Sequence, residues 1–241
     1  MRSLATVTFI YNHEPFIIPH FNMISSVDKN FVFIGEKPLR GYDDEHGTSL
    51  VPDSSERLIV ENFPHVEIFK HSYDGYFCSD LYNNVAHVFK DYDMVLRLDP
   101  DMLFMDKDWD RFTTFIRDTD YDCIQMSYGK CSINYYMDWD HGLKDAKEFD
   151  IVAFNPKTPL TGILDYAAEK PYCIEWDDFI MHHFRGWNKP KSITKDWPYT
   201  EYAKMAFLNH SDNGDWFHCP EEIKAKFDDK TADLWLSKLK T

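Results

Sequence analysis

The chain has 241 residues, enough for one large domain with its own hydrophobic core. A formal net charge of −15 argues against a broad nucleic-acid-binding face, which needs a surplus of Lys and Arg. A hydrophobic content of 44% and an aromatic content of 17% are typical of a globular protein. No apolar run approaches the roughly 20 residues that cross a bilayer, so we expect a soluble protein.

The cysteines and the first residues bear on location. The 5 cysteines form no CxxC pair and are odd in number, which favours reduced thiols and a cytoplasmic protein. The segment Met1–Ile10 has one basic residue, a short apolar stretch and no small-residue cleavage signal. It therefore predicts a first β-strand rather than a signal peptide.

Strand and helix signals alternate through the first two thirds of the chain, as in a sheet built from βαβ units. The predicted strands are Leu4–Ile10, Phe31–Ile34, Val66–Lys70, the apolar run around Met94–Leu98, Tyr121–Met126 and Phe149–Phe154. The predicted helices are Pro19–Ser26, a segment from Ser54 or Ser55 to Asn62, one from Ser79 or Asp80 to Phe89, Trp109–Arg117, one near Asp178–Phe184, and Ala232–Lys240. No repeat or linker divides the chain, so we predict a single α/β domain with a mixed, mostly parallel central sheet flanked by helices.

The most informative stretch is Asp91–Asp106, DYDMVLRLDPDMLFMD. Its apolar run is typical of a buried central strand, and carboxylates at the end of such a strand are unfavourable without a partner. In an extended chain, residues two apart point to the same side, so Asp99 and Asp101 can converge on one cation. Pro100 suits a strand end because it lacks an amide donor. Carboxylates are hard ligands for Mg²⁺ or Mn²⁺, which keep positions open for phosphate oxygens, so the stretch predicts a metal and diphosphate site.

A family resemblance starts from the same residues. MVLRLDPDMLF resembles the Asp-x-Asp strand of glycosyltransferases with the GT-A fold, particularly the family 2-like enzymes, and VTFIYNHEPFIIPHF resembles their first strand and helix. The resemblance covers roughly residues 4–185 and implies a Rossmann-like domain. Its nucleotide-binding part would be about 1–105, its acceptor and catalytic part about 106–220, and its C-terminal helix about 221–241.

The resemblance also implies an activity. It implies metal-dependent transfer of a sugar from a nucleoside-diphosphate sugar, with uridine the expected base, to an acceptor hydroxyl with inversion. The expected acceptor is a glycan, and a modified DNA base is the less favoured choice because the chain is acidic.

Besides Asp99 at the diphosphate site, three regions supply candidate donor-binding residues. In the resembling enzymes the loop after strand one lies against the base, so Tyr11 is expected to stack on uracil; alternatively Asn12 and His13 only cap the next helix. Asp43 and Asp44, after strand two, are candidates for hydrogen bonds to base or ribose, and a solvated loop is the alternative.

Ser79 and Asn83 lie one turn apart on the helix before the central strand. Helices in this position approach the donor in the resembling group, although helix capping explains Ser79 at least as well.

A second acidic group, Asp177-Asp178, precedes a segment with helical apolar spacing. In family 2-like enzymes an acidic pair at this point supplies the base that deprotonates the acceptor hydroxyl, and a placed carboxylate typically adds about 10²–10⁴ in rate. Asp178 is the predicted base and Asp177 the reserve, with an N-terminal helix cap as the alternative. Trp139 and Trp176 are candidates for stacking on an acceptor sugar, although core packing is the commoner fate of aromatic residues.

Two carboxylates rarely complete a metal site. In many GT-A enzymes the third ligand is a histidine from a C-terminal loop, and His210, after the apolar run Met205–Leu208, fits that position best. His218, His182 and His183 are the alternatives.

Two other functions remain open. A nucleotidyltransferase also uses an Asp pair and Mg²⁺, but usually has a Gly-rich basic loop after strand one, and YNHEPFIIPH has neither Gly nor Lys. A non-catalytic carbohydrate-binding module is disfavoured by the long βα order and by the second acidic pair.

Overall fold

The computed structural model describes residues 1–10, 13–36, 54–72, 78–127, 132–134, 149–158, 160–161, 165–166, 171–174, 179–183 and 220–227. The strands are β1 (Leu4–Ile10), β2 (Lys29–Gly35), β3 (Glu67–His71), β4 (Met94–Arg97), β5 (Met102–Phe104), β6 (Cys123–Ser127), β7 (Ser132–Asn134), β8 (Phe149–Phe154), β9 (Leu160–Thr161), β10 (Asp165–Tyr166), β11 (Pro171–Ile174) and β12 (Met181–His183). The helices are α1 (Glu14–Met23), α2 (Ser55–Asn62), α3 (Cys78–Phe89), α4 (Asp106–Asp118) and the short α5 (Glu221–Lys224), with a 3₁₀ turn at Ile24–Ser26.

Seven strands form the central sheet, in the order β11-β6-β8-β4-β1-β2-β3. Within this sheet, β8 pairs antiparallel with both of its neighbours, and the other strands run in one common direction. The predicted mixed, mostly parallel sheet flanked by helices is therefore confirmed, and the predicted β1, β2, β3, β6 and β8 agree with the observed strands to within two residues.

The two faces of the sheet bury separate apolar clusters. On β1, Leu4 and Ile10 pack with residues of α1, α2 and α4, whereas Ala5 and Val7 pack on the opposite face with α3. This alternation follows from the two-residue period of a strand. Burial of each large apolar side chain contributes about 1.5–3 kcal/mol, so the central strands hold helices on both faces of the sheet.

The first helix begins earlier than predicted. It starts at Glu14, and Pro19, expected to open the helix, lies inside it. Pro15 occupies an N-terminal position where a helix needs no amide donor, so the helix can begin there. Burial of Phe16, Ile17 and Phe21 then stabilises the helix on both sides of Pro19.

The helix predicted near Asp178–Phe184 is wrong for the described part of that segment. Met181–His183 is the strand β12, which pairs antiparallel with β5 and parallel with β7 in a small separate sheet. Met181 and His182 are each 1% exposed, so successive residues are buried and no helical face exists. Pairing with β5 overrides the local helical spacing. The predicted helix Ala232–Lys240 lies outside the described residues.

The helix α4 receives a distant cap. Its N-cap residue Met105 makes no side-chain capping bond, and the amide of Asp106 instead donates to Glu222 Oε1 at 2.6 Å. Among the helices that the structure describes, none is long and apolar enough for a membrane crossing.

Candidate functional site

The candidate site lies where the order of the central strands reverses. From β1, the chain continues to β2 and β3 on one side, while β4 lies on the other side of β1. The connections on the two sides cover opposite faces, because α1 packs on one face and α3 on the other. Ligands of open α/β sheets bind in the crevice outside the carboxyl ends of the strands at such a reversal. His13 and the residues after Arg97 lie at this edge.

The segment after β4 is a tight turn that begins at Asp99. The amide of Leu98 still donates to Val7 at 3.4 Å, and the amide of Met102 donates to the carbonyl of Asp99 at 3.0 Å. Pro100 occupies the second turn position, which its fixed φ favours. The extended geometry expected for these residues is therefore wrong, and Asp99 and Asp101 instead lie within one β-turn. Both are partly exposed, whereas Pro100 is buried.

Arg97 lies at the base of this turn and was missed by the sequence reasoning. Its side chain is 10% exposed, and its Nη2 lies 3.5 Å from Asp99 Oδ2. Its Nε donates to the hydroxyl of Tyr82 at 3.1 Å, and its Nη1 donates to the carbonyl of Ile151 at 3.4 Å. The signal available in the sequence was a charged residue within an otherwise apolar central strand.

The start of α1 is bonded to the start of α2. The amide of His13 donates to Ser55 Oγ at 3.0 Å, and the amide of Ser54 donates to Glu14 Oε2 at 3.3 Å. His13 is the N-cap residue of α1, but its side chain makes no capping bond. These bonds join the N-terminal end of α1 to the N-terminal end of α2 at the candidate site.

A buried histidine, His20, packs against β1 near the candidate site. His20 is 0% exposed, and its Nε2 lies 3.1 Å from Thr8 Oγ1. Burial lowers the pKa of His20 to about 3; the charge of His13 acts in the same direction, and the nearby Met102 backbone acts in the opposite direction. His20 is therefore neutral near pH 7 and is held to β1 through Thr8.

Several predicted site residues lie in the described part of the chain. Asn83 Nδ2 donates to the carbonyl of Leu160 at 2.7 Å, and the amide of Leu160 donates to Asn83 Oδ1 at 2.9 Å, which gives Asn83 a structural role. Ser79 lies inside the first turn of α3, which begins at Cys78, so neither Ser79 nor Asp80 is the residue that precedes the helix. Donor binding by these two residues stays a prediction.

The histidines of β12 have different neighbours. His182 pairs with Leu103 and is 1% exposed, and its burial lowers its pKa to about 4. His183 pairs with Met102, directly after the two carboxylates, whereas Met181 pairs with Phe104 at the other end of β5.

The remaining predicted site residues, Tyr11, Asp43, Asp44, Trp139, Trp176, Asp177, Asp178 and His210, lie outside the described residues, as does the alternative ligand His218. Within the described ranges, no group of three or more His, Cys, Asp or Glu side chains is arranged to hold a metal ion. Asp99 and Asp101 would therefore need further ligands from elsewhere in the chain, from substrate or from water.

No protein-family model and no curated protein sequence matches the chain. Solved structures of similar fold include S. aureus TarS 1-349 in complex with UDP-GlcNAc, at 11% identity and a TM-score of 0.48, covering 98% of this chain and 72% of that one. They also include the mannosyltransferase PcManGT from Pyrobaculum calidifontis in complex with GDP-Man and Mn²⁺, at 11% identity and a TM-score of 0.47, covering 93% and 68%.

Another similar fold is that of 4-diphosphocytidyl-2C-methyl-D-erythritolsynthase from Anaerococcus prevotii, at 10% identity and a TM-score of 0.39, covering 65% and 71%. In two other TarS structures the chain spans 66% of TarS 1-349 and 40% of a longer TarS chain. Likeness at this level concerns the fold alone.

Proposed function

We propose that the chain is a metal-dependent glycosyltransferase that uses a nucleoside-diphosphate sugar, with uridine the expected base. The observation that carries this proposal is the position of Asp99 and Asp101 in one turn at the carboxyl end of β4, where the strand order reverses. Two partly exposed carboxylates are hard oxygen donors, which suit Mg²⁺ or Mn²⁺ while leaving coordination positions for phosphate and water.

In this proposal Asp101, with Asp99, holds the cation against the diphosphate, and His210 is the expected third protein ligand. Bound metal would offset the charge on the leaving diphosphate, a contribution of several kcal/mol. Tyr11 and the pair Asp43 and Asp44 are the proposed contacts of the base and ribose.

Asp178, with Asp177 as the reserve, is the proposed base that removes the acceptor proton, and the expected outcome is inversion at the anomeric carbon. Trp139 and Trp176 are the proposed acceptor contacts. A glycan remains the preferred acceptor over a modified DNA base, and the cysteine pattern supports a cytoplasmic location.

The test is a thermal-unfolding screen of nucleoside-diphosphate sugars with and without Mn²⁺. A ligand that binds only the native state raises the free energy of unfolding by about 2.7 kcal/mol at 100-fold excess over its Kd. We expect a Mn²⁺-dependent shift with a uridine- or guanosine-linked sugar, and its loss in Asp101→Asn. Asp110→Asn, an exposed position on α4, is the matched control and should keep the shift.

Product analysis separates the enzyme classes. A glycosyltransferase releases nucleoside diphosphate from the donor. A nucleotidyltransferase instead joins a nucleoside triphosphate to a sugar phosphate, and the triphosphate loses pyrophosphate. Wild-type Mn²⁺-dependent binding in Asp101→Asn would overturn the metal assignment. Donor binding without release of nucleoside diphosphate would favour a binding module.

A further inference from the structure

Arg97 places a buried positive charge in β4, at a position where an apolar side chain would suit the core. It is 8% exposed and follows Met94, Val95 and Leu96 in β4. Its partner Asp99 is 35% exposed, so solvent weakens the attraction, while the guanidinium still loses hydration on burial. An apolar side chain of similar volume often packs as well or better at such a position. Another reason for an arginine at this position must therefore be sought in its contacts.

Two neutral contacts fix the guanidinium independently of the candidate site. Tyr82, on α3, accepts from Nε, and its ring centroid lies 5.9 Å from the guanidinium carbon. Ile151, on β8, accepts from Nη1 through its carbonyl. Tyr82 is itself 3% exposed and packs edge-on against Phe9 with ring centroids 4.7 Å apart. The guanidinium is thus held by elements on two sides of β4.

The third contact reaches the proposed metal site. Arg97 Nη2 lies 3.5 Å from Asp99 Oδ2, and the backbone carbonyl of Asp99 is held separately by the amide of Met102. Asp99 is consequently restrained at both its side chain and its main chain. Restraint of this kind, applied by a neighbour that does not itself bind the metal, orients ligating carboxylates in metal sites.

The charge of Arg97 also suits a site that must accept an anion together with a cation. The two carboxylates and the guanidinium together have a net charge of minus one, and a bound divalent cation makes the net charge of the site plus one. Without the guanidinium, the same cation would only neutralise the two carboxylates, and the attraction for a diphosphate would be weaker.

We propose that Arg97 is a positioning residue for the cation and diphosphate site, acting through Asp99, and that Tyr82 holds Arg97 in place; this inference rests on the proposed function. Arg97 links the packing of α3 to the turn that carries both carboxylates. Neither Arg97 nor Tyr82 needs to touch the substrate.

The test measures binding of UDP and GDP by calorimetry, at saturating Mn²⁺ and without metal, at a temperature where each variant is folded by circular dichroism. Arg97→Met should weaken the Mn²⁺-dependent affinity by about 10–100-fold, the usual effect of losing a partner of a metal ligand. Arg97→Lys keeps the charge but not the planar fork, so it should recover part of the affinity. Tyr82→Phe should give a smaller loss in the same direction.

The matched control is Arg117→Met. Arg117 forms a comparable pair with Asp28, with Nη1 and Nη2 at 2.8 and 2.9 Å from the carboxylate, and its side chain is 16% exposed. Its backbone carbonyl accepts from the amide of Arg2, which precedes β1, so it lies at the amino ends of the strands. This variant should lower the unfolding temperature without changing nucleotide affinity.

Three results would overturn the inference, and they distinguish its failure from that of the proposed function. If wild type binds nucleotide with Mn²⁺ and folded Arg97→Met binds equally well, Arg97 is structural and the proposed function stands. If wild type shows no Mn²⁺-dependent binding of either nucleotide, the proposed function and this inference both fail. Should Arg97→Met not fold, wild-type affinity in both Arg97→Lys and Tyr82→Phe would contradict the inference.

Discussion

His20 has a titratable ring without access to solvent. Its position in α1 places it between Thr8 of β1 and the backbone of Met102, which closes the Asp99 turn. A charged imidazole there would be strongly unfavourable, because burial removes its hydration. His20 therefore stays neutral in the folded protein. Stability falls once the pH is low enough for the same histidine to be protonated in the unfolded chain.

We predict that His20→Gln flattens the pH dependence of stability below neutral pH. The pKa of His20 is about 3 in the folded state against an ordinary value of 6.5, so between these values the unfolded state binds a proton that the folded state does not. Its contribution is complete above about pH 6.5 and is lost as pH falls, at up to about 1.4 kcal/mol per pH unit. Urea unfolding of wild type and variant between about pH 6.5 and 4.5 measures the slope.

The expected slope in His20→Gln is smaller but not zero, because the pKa of His182 is also lowered by burial, to about 4. His87→Gln, at an exposed position of α3, is the control and should keep the wild-type slope. An unchanged slope in His20→Gln would show that His20 becomes protonated without unfolding.

At the scale of elements, side-chain hydrogen bonds from α3 connect it to two strands. Tyr82 contacts Arg97 of β4, and the next residue, Asn83, bonds both backbone groups of Leu160 in β9. Leu160 is 3% exposed, so its amide and carbonyl depend on that side chain for hydrogen bonds. Asn83 thus bonds the backbone of β9 in addition to the pairing of β9 with β10.

We predict that Asn83→Ala lowers the free energy of unfolding by about 1–3 kcal/mol, because it leaves buried backbone groups without partners. Urea denaturation provides the measurement. Asn84→Ala, at the adjacent exposed position, should change stability by less than about 0.5 kcal/mol. Unchanged stability together with weaker nucleotide binding in Asn83→Ala would instead support its predicted donor contact.

At the scale of the whole molecule, the segment Pro220–Phe227 completes the core on the α1 side of the sheet. Ile223 is 0% exposed and Phe227 is 8% exposed, and the ring of Phe227 packs edge-on against Phe16 at 5.7 Å. Glu222 supplies the cap of α4 from the same segment. Residues far apart in the sequence therefore close the apolar layer against which α1 packs.

We predict that Phe227→Ala destabilises the protein by about 3–5 kcal/mol, the range for removing a buried aromatic ring. The measurement is the midpoint and slope of urea unfolding. Val60→Ala, at a residue that is 57% exposed on α2, is the control and should change stability by less than about 0.5 kcal/mol. A change below about 1 kcal/mol in Phe227→Ala would mean that this segment contributes little to the core.

The sequence by itself determined the elements whose patterns are local and strong. The short apolar runs of β1 and β4 are typical of strands buried inside a sheet, and the alternation of strands and helices favours a mostly parallel one. The Asp99–Asp101 pair was recognisable because carboxylates directly after such a run need a partner. The acidic pair Asp177-Asp178 and the ligand His210 stay predictions.

Only the tertiary structure decided the features that depend on distant partners. Met181–His183 is a strand because β5, which lies far from it in the sequence, offers it hydrogen bonds. The pairing of Arg97 with Tyr82 and Asp99 likewise has no local signature beyond a charge in an apolar run. Sequence periodicity reports which face of an element is buried, whereas contacts between elements far apart in the chain decide what that face meets.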